Sequence, residues 1–188
     1  GKHVCSHCAE VYTGWPYDQV IVGRVHHRHW RNVFELALGY AFSGNEEYAP
    51  RAREILLIYA EKYANYPIHN SRGQVSRSGG RIFAQTLDES VAIIRMAWAY
   101  DMLYNSPCFS AADRDQIENR FFREVVATIK RNDAGISNWQ SWHNAGMAAV
   151  GFCLQDEDIA SFAINGKSGL RFQLANSILP DGFWYEGA

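Results

Sequence analysis

The chain has 188 residues, 47% hydrophobic and 20% charged, with a formal net charge of −2, which is long enough to bury a sizeable core as one domain. The charge supplies no positive field for nucleic acid and the basic residues form no run, so a nucleic-acid partner is set aside. No apolar stretch reaches the roughly 18 to 20 residues that cross a bilayer, so no membrane span is expected, and no signal-peptide pattern opens the chain.

Residues 1–23 are rich in turn formers and aromatics, as in Tyr12-Thr13-Gly14-Trp15-Pro16-Tyr17-Asp18. They hold no sustained period and read as an irregular lead-in. Within it Cys5 and Cys8 form a CxxC, with His3 before it and His7 inside it. A closed tetrahedral zinc site needs four ligands, and no second CxxC follows. The expectation is therefore no cofactor, with Cys5 and Cys8 as the candidate ligands of any structural zinc. Cys108 and Cys153 read as unpaired structural residues.

From about His26 to Phe42 the set Trp30, Val33, Phe34, Ala37, Tyr40 and Ala41 follows one helical face, and Ser43-Gly44-Asn45 ends it. A second helix, Glu46 to Tyr63, places Ala52, Ile55, Leu56, Tyr59 and Tyr63 on one side. The short connection predicts an antiparallel hairpin. Residues 67–80 form a polar loop of the length that usually has a function. A third helix, about Ile82 to Tyr104, is apolar nearly all round and should be an inner one. Ser110-Ala111-Ala112-Asp113 resembles a capping box and opens a fourth helix with Ile117, Phe121, Val125 and Ile129 facing in.

A fifth helix, about Asn138 to Leu154, carries Ala145, Gly146, Ala148, Ala149 and Gly151, so that neighbours can approach closely. A sixth, about Asp158 to Leu179, is expected to bend at Gly166 to Gly169 before Pro180-Asp181-Gly182 stops it. Six helices in three successive hairpins predict an all-α fold. The lack of a fixed-period repeat favours a ring of hairpins over a superhelical array. Gly1, which is not an initiator Met, and Gly187-Ala188, directly after a motif, read as ends cut from something longer.

Three stretches carry a family. Gly80-Arg81-Ile82-Phe83-Ala84-Gln85-Thr86-Leu87-Asp88-Glu89, Asn138-Trp139 with Trp142-His143-Asn144, and Asp181-Gly182-Phe183-Trp184-Tyr185-Glu186-Gly187 resemble, in order and spacing, the helical domain of heparinase II/III-like and oligoalginate-lyase-like polysaccharide lyases. Cys5 to Asp18 looks like the lead-in common in that group. The resemblance implies an incomplete (α/α) toroid over residues 24–188 that continues into β-sandwich domains, the missing C-terminal part of the same chain being its partner. It implies a carbon–oxygen lyase, periplasmic or secreted, that cleaves uronic-acid polysaccharide by β-elimination and leaves a 4,5-unsaturated uronate end. It further implies Asn138 and His143 as catalytic residues, with Asn138 at the position that neutralises the uronate carboxylate. The family's proton-transfer Tyr would fall just past Ala188, which leaves Tyr185 as a stand-in.

The chemistry suits those residue types. Removing the C5 proton beside a carboxylate builds further negative charge, which donors aimed at its oxygens must stabilise. Asn138 can give two N–H bonds without charge, and His143 can donate or carry a proton. Arg81 offers a bidentate clamp and Gln85, one turn on, a contact to the acid or a hydroxyl. Trp139 and Trp142 are read as substrate-binding, one of them stacking on a sugar. Structural alternatives stand beside each. Asn138 can be a helix N-cap, His143 a satisfied core histidine, the two Trp core residues, and Arg81, Gln85 and Glu89 a buried network. His26-His27-Arg28-His29 reads either as cleft lining or as a solvated helix start. Competing functions are a uronate epimerase on the same fold, a glycoside hydrolase using a carboxylate pair drawn from Asp88, Glu89, Asp181 and Glu186, and a non-catalytic helical glycan-binding scaffold.

Overall fold

The computed structural model, which describes residues 1–186, is an all-α fold with one small strand pair at its start. Strands β1 (Lys2–Val4) and β2 (Val11–Thr13) pair antiparallel, His3 opposite Tyr12. His3 Nε2 meets Asp18 Oδ1 at 2.5 Å, tying the hairpin to the first turn of α1 (Tyr17–Ser43). The stretch read as irregular up to residue 23 is thus a hairpin followed by helix. Val20, Ile21, Val22 and Val25 in that part of α1 remain exposed, so no buried stripe betrays the helix in sequence.

Helix α1 ends at Gly44, whose backbone is left-handed (φ 66°) and whose N–H returns to the Tyr40 carbonyl. Helix α2 (Tyr48–Lys62) folds back along α1, burying Ala49, Ala52, Ile55, Leu56 and Tyr59. Helix α3 (Thr86–Leu103) is buried almost all round, as its apolar circumference requires. It starts four residues later than the sequence pattern suggests, because Arg81 to Gln85 are drawn out of helical geometry by contacts described below. The capping box opens α4 (Ala111–Ile117): Ser110 Oγ accepts the Asp113 N–H, and Asp113 accepts the Ser110 N–H. Asp113 also takes a two-pronged bond from Arg53 on α2 at 2.7 and 3.0 Å. A π-helical turn, Glu118–Phe122, joins α4 to α5 (Arg123–Lys130). This wider turn places the consecutive Phe121 and Phe122 both in the core, against Tyr59 and Tyr100.

Helix α6 (Asn138–Cys153) is capped by Ser137, whose hydroxyl accepts the Gln140 N–H. The expected sixth helix is two, α7 (Glu157–Asn165) and α8 (Leu170–Ser177), broken at Gly166 to Gly169. Helices α1, α3 and α6 run side by side in one direction: His27 meets Phe83 and Phe34 meets Trp98, while Gly146 packs on Ser90 and the Cys153 thiol on the Ala97 carbonyl. Helices α2 and α4–α5 run the opposite way on the other side of a single core. The consequence for function is that α3 and α6 begin at the same end of the molecule.

Close packing makes one glycine indispensable. A Cβ on Gly151 would lie 2.6 Å from the Ala160 backbone nitrogen and 2.9 Å from its Cα, whereas one on Gly23 meets nothing within 4 Å. Gly151→Ala should therefore lower unfolding free energy by about 1 to 3 kcal/mol, read from urea titration, and Gly23→Ala should leave it unchanged or slightly raised.

Candidate active site

The end where α3 and α6 start is built around a buried carboxylate. Glu89, only 2% exposed, turns its Oε1 to the backbone N–H groups of Arg81, Ile82 (2.5 Å) and Phe83 (3.4 Å), and its Oε2 accepts the Tyr63 hydroxyl at 3.0 Å. Burial pushes its pKa up, and the three amides and the phenol pull it back. Gly80 is needed for the wrap, since a Cβ there would fall 2.6 Å from Glu89 Oε1. The loop so held sends the Arg81 guanidinium to the Ala64 and Tyr66 carbonyls, both 2.7 Å from Nη1. It is further pinned where His69 pairs with Gly80 and where Asn132 Nδ2 reaches Thr86 Oγ1 at 3.0 Å.

Above this loop lies an open cleft of about 510 Å³, between the first turns of α1 and residues 66–84. That volume is in the range of small-ligand sites, roughly 300 to 1,000 Å³. Arg81, Phe83, His26, Tyr66, His69 and Trp15 are among the residues that line it. Two imidazoles there have defined hydrogen-bond roles. His69 Nδ1 lies 3.0 Å from the Pro67 carbonyl, which only accepts, so Nδ1 carries the proton. His26 Nδ1 lies 2.8 Å from the Tyr59 hydroxyl. Burial, aided by the neighbouring His29, His27 and His69, lowers the His26 pKa to about 4.

The residues singled out in the sequence do not all converge. Arg81 lines the cleft with its guanidinium tied to two carbonyls, and Gln85 is the residue before α3, extended and half-buried. Arg81, Gln85 and Glu89 therefore share no helical stripe; Arg81 and Glu89 form a network instead. Asn138 is the first residue of α6, not its cap, and its side chain is exposed. His143, five residues on and about 140° round the helix, is fully buried with neither ring nitrogen hydrogen-bonded. Asn138 and His143 thus face apart and share no hollow in this structure. Burial brings the His143 pKa down to about 4, against the opposing pull of the Asn132 main chain and the Asp133 charge. Trp139 lies half-buried edge-on to His143, and Trp142 is exposed. Tyr185 donates its hydroxyl proton to the Ile136 carbonyl, which removes it from service as a free base.

The two C-terminal motifs do meet. Glu186 Oε2 accepts the Asn138 N–H and the Trp184 Nε1–H, each at 2.8 Å, so the second motif docks on the first turn of α6. Gln140 and Asn144, the other polar members of the first motif, are buried and bonded to each other and to the Ser168 carbonyl. Cys5 and Cys8 sit as free thiols in the hairpin turn, and among the described residues no group of three or more His, Cys, Asp or Glu is placed to hold a metal. No helix among them is long and apolar enough to cross a membrane.

Residues 24–187 match the family model described as alginate lyase. The chain belongs to the alginate lyase family. It is 33% identical over 177 residues to an alginate lyase of Stenotrophomonas maltophilia (strain K279a), a match covering 88% of this chain and 23% of that protein. It is 27% identical over 177 residues to an exo-oligoalginate lyase of Saccharophagus degradans (strain 2-40), covering 88% and 24%. The chain spans about a quarter of the length of these curated relatives. The family match runs through all the helices and through the loop that floors the cleft.

The lowered histidines give the fold a pH signature. An unfolded histidine titrates near 6.5, so below that pH the unfolded chain binds protons that buried His143 and His26 refuse until about pH 4. The histidine contribution should be constant above about pH 7, and stability should fall as pH drops from about 6.5 towards 4. His143→Leu should flatten that fall by at most about 3 kcal/mol, as followed by urea titration at a series of pH values.

Proposed function

We propose that the protein is a polysaccharide lyase that cleaves uronic-acid polymer, alginate or its oligosaccharides in particular, by β-elimination. The observation that supports it most is that the family match, residues 24–187, takes in α3, α6 and the loop of residues 66–84 that lines the cleft. The names of the two relatives point the substrate to alginate. The same reading extends to architecture: the helical hairpins form part of an (α/α) ring that continues into β-sandwich domains in a periplasmic or secreted protein.

In the reaction a base takes the C5 proton, its electron pair forms the C4–C5 double bond, and the C4–oxygen bond breaks. The departing glycosidic oxygen is protonated. The chain's part is to hold the carboxylate beside C5 so that the developing charge is stabilised. Asn138 offers an exposed, uncharged amide for this on the first turn of α6, at the same end of the molecule as the separate cleft in which Arg81 holds a fixed positive charge. His143, buried edge-on to Trp139, serves by seating that ring. The proton-transfer Tyr is assigned by the family resemblance alone, and Tyr185, its stand-in, is committed to the Ile136 carbonyl. Of the carboxylates a hydrolase could draw on, Glu89 is saturated by backbone amides and Tyr63 and Glu186 is bound to the Asn138 and Trp184 N–H groups, which disfavours a pair built on either.

The test is to offer the whole protein alginate, oligoalginate and sulfated glycosaminoglycans and follow ultraviolet absorbance of the 4,5-unsaturated uronate. Alginate-derived substrate should give that product, and Asn138→Ala should lower kcat by about 100-fold without changing the melting temperature. Inversion at C5 with no unsaturated product would replace the lyase by an epimerase. Absence of either change on every uronate polymer would leave a glycan-binding scaffold.

A further inference from the structure

We propose that the cleft of Trp15, His26, His69 and Arg81 is a binding subsite for an acidic sugar residue, in which buried Tyr59 holds His26 in the tautomer that offers its Nε2–H to the ligand. The ligand's chemistry rests on the uronate reading; the site itself rests on geometry. Tyr59 is 2% exposed, and among the described residues its hydroxyl has no hydrogen-bond partner except His26 Nδ1, at 2.8 Å. If Nδ1–H donated to the phenol, the phenol's own proton would be buried without an acceptor, which is costly. The satisfied arrangement has Tyr59 donating, so Nδ1 holds the lone pair and Nε2 the hydrogen. Nε2 has no protein partner and is not among the buried unsatisfied atoms, and His26 lines the cleft.

His69, which also lines the cleft, presents the reverse arrangement. Its Nδ1–H is spent on the Pro67 carbonyl, leaving Nε2 as an acceptor when the ring is neutral. A sugar residue carries both kinds of group, a carboxylate that only accepts and hydroxyls that also donate. Arg81, also in the cleft, adds the cation that makes an acid preferable to a neutral sugar. Trp15, in the same lining, is 69% exposed, and a flat indole in that position covers its apolar face only when a ring lies against it. Tyr59 is thus a positioning residue, acting through His26.

The subsite is tested on the whole protein in two ways. Nitrogen-15 NMR of the His26 ring near neutral pH should show Nε2 protonated and Nδ1 bare, and Tyr59→Phe should erase that preference. Titration calorimetry with an oligoalginate trisaccharide should show His26→Leu weakening binding about tenfold or more, and His26→Gln, which keeps an N–H donor, restoring part of it. Trp15→Ala should also weaken binding, and a neutral cellotriose should bind far more weakly than the trisaccharide. Protonated Nδ1, an unchanged Kd in folded His26→Leu, or equal binding of the neutral sugar would each overturn the proposal. If alginate is turned over normally while His26→Leu alters neither Kd nor KM, the subsite falls and the lyase reading stands. If the trisaccharide binds through His26 but no polymer is eliminated, the lyase reading falls and the subsite stands.

Discussion

The buried Glu89 carboxylate is the interaction on which the functional end depends. A carboxylate taken from water is costly unless its lone pairs are filled. Here they are filled by three consecutive backbone amides and a phenol that is itself buried. Residues 81–83 are consequently held outside the helix they immediately precede. The arrangement turns a stretch of helical composition into a shaped loop, and it fixes both the Arg81 charge and the floor of the cleft. No Lys or Arg is needed as a direct counter-ion, which leaves the Arg81 guanidinium at the cleft.

The layered helices supply the second constraint. Because α1, α3 and α6 run in the same direction, their early residues, the 66–85 loop and the 131–138 connection gather at one end. Bonds from Arg77 to the Arg131 carbonyl and from Arg131 to the Ser76 carbonyl join the two loops directly. The C-terminal motif closes on the same end through Glu186 at the start of α6. Side chains distant in sequence thereby become neighbours on rigid elements, the condition for a site that does not rebuild itself on each binding event.

What could be read from sequence was what local patterns encode. The faces of α2 and of the α4–α5 stretch, the capping box at Ser110 and the break at Gly166 to Gly169 follow from spacing and turn chemistry, and the three motifs carried the family. What could not be read depends on partners far along the chain. The start of α3 was misplaced because Glu89 takes amides that a helix would have used, with Tyr63 completing the cluster. His26 looked like part of a solvated helix start, and only its bond to Tyr59 distinguishes it. The polar string around residue 140 looked like one site but is divided by the helical period. Ser137 caps, Gln140 and Asn144 are buried structural links, His143 is enclosed, and Asn138 and Trp142 face outward.

The central claim, that Glu89 shapes the loop beneath the cleft, is tested most directly by amide hydrogen exchange at Arg81, Ile82 and Phe83. These residues precede α3, yet in the wild-type protein their amides should exchange at least ~100-fold more slowly than in an unfolded chain. In Glu89→Gln, where a neutral amide oxygen is the weaker acceptor, that protection should drop while Ala92 to Leu103 remain protected. Exchange at unfolded-chain rates in the wild type, or protection unchanged by the substitution, would contradict the account.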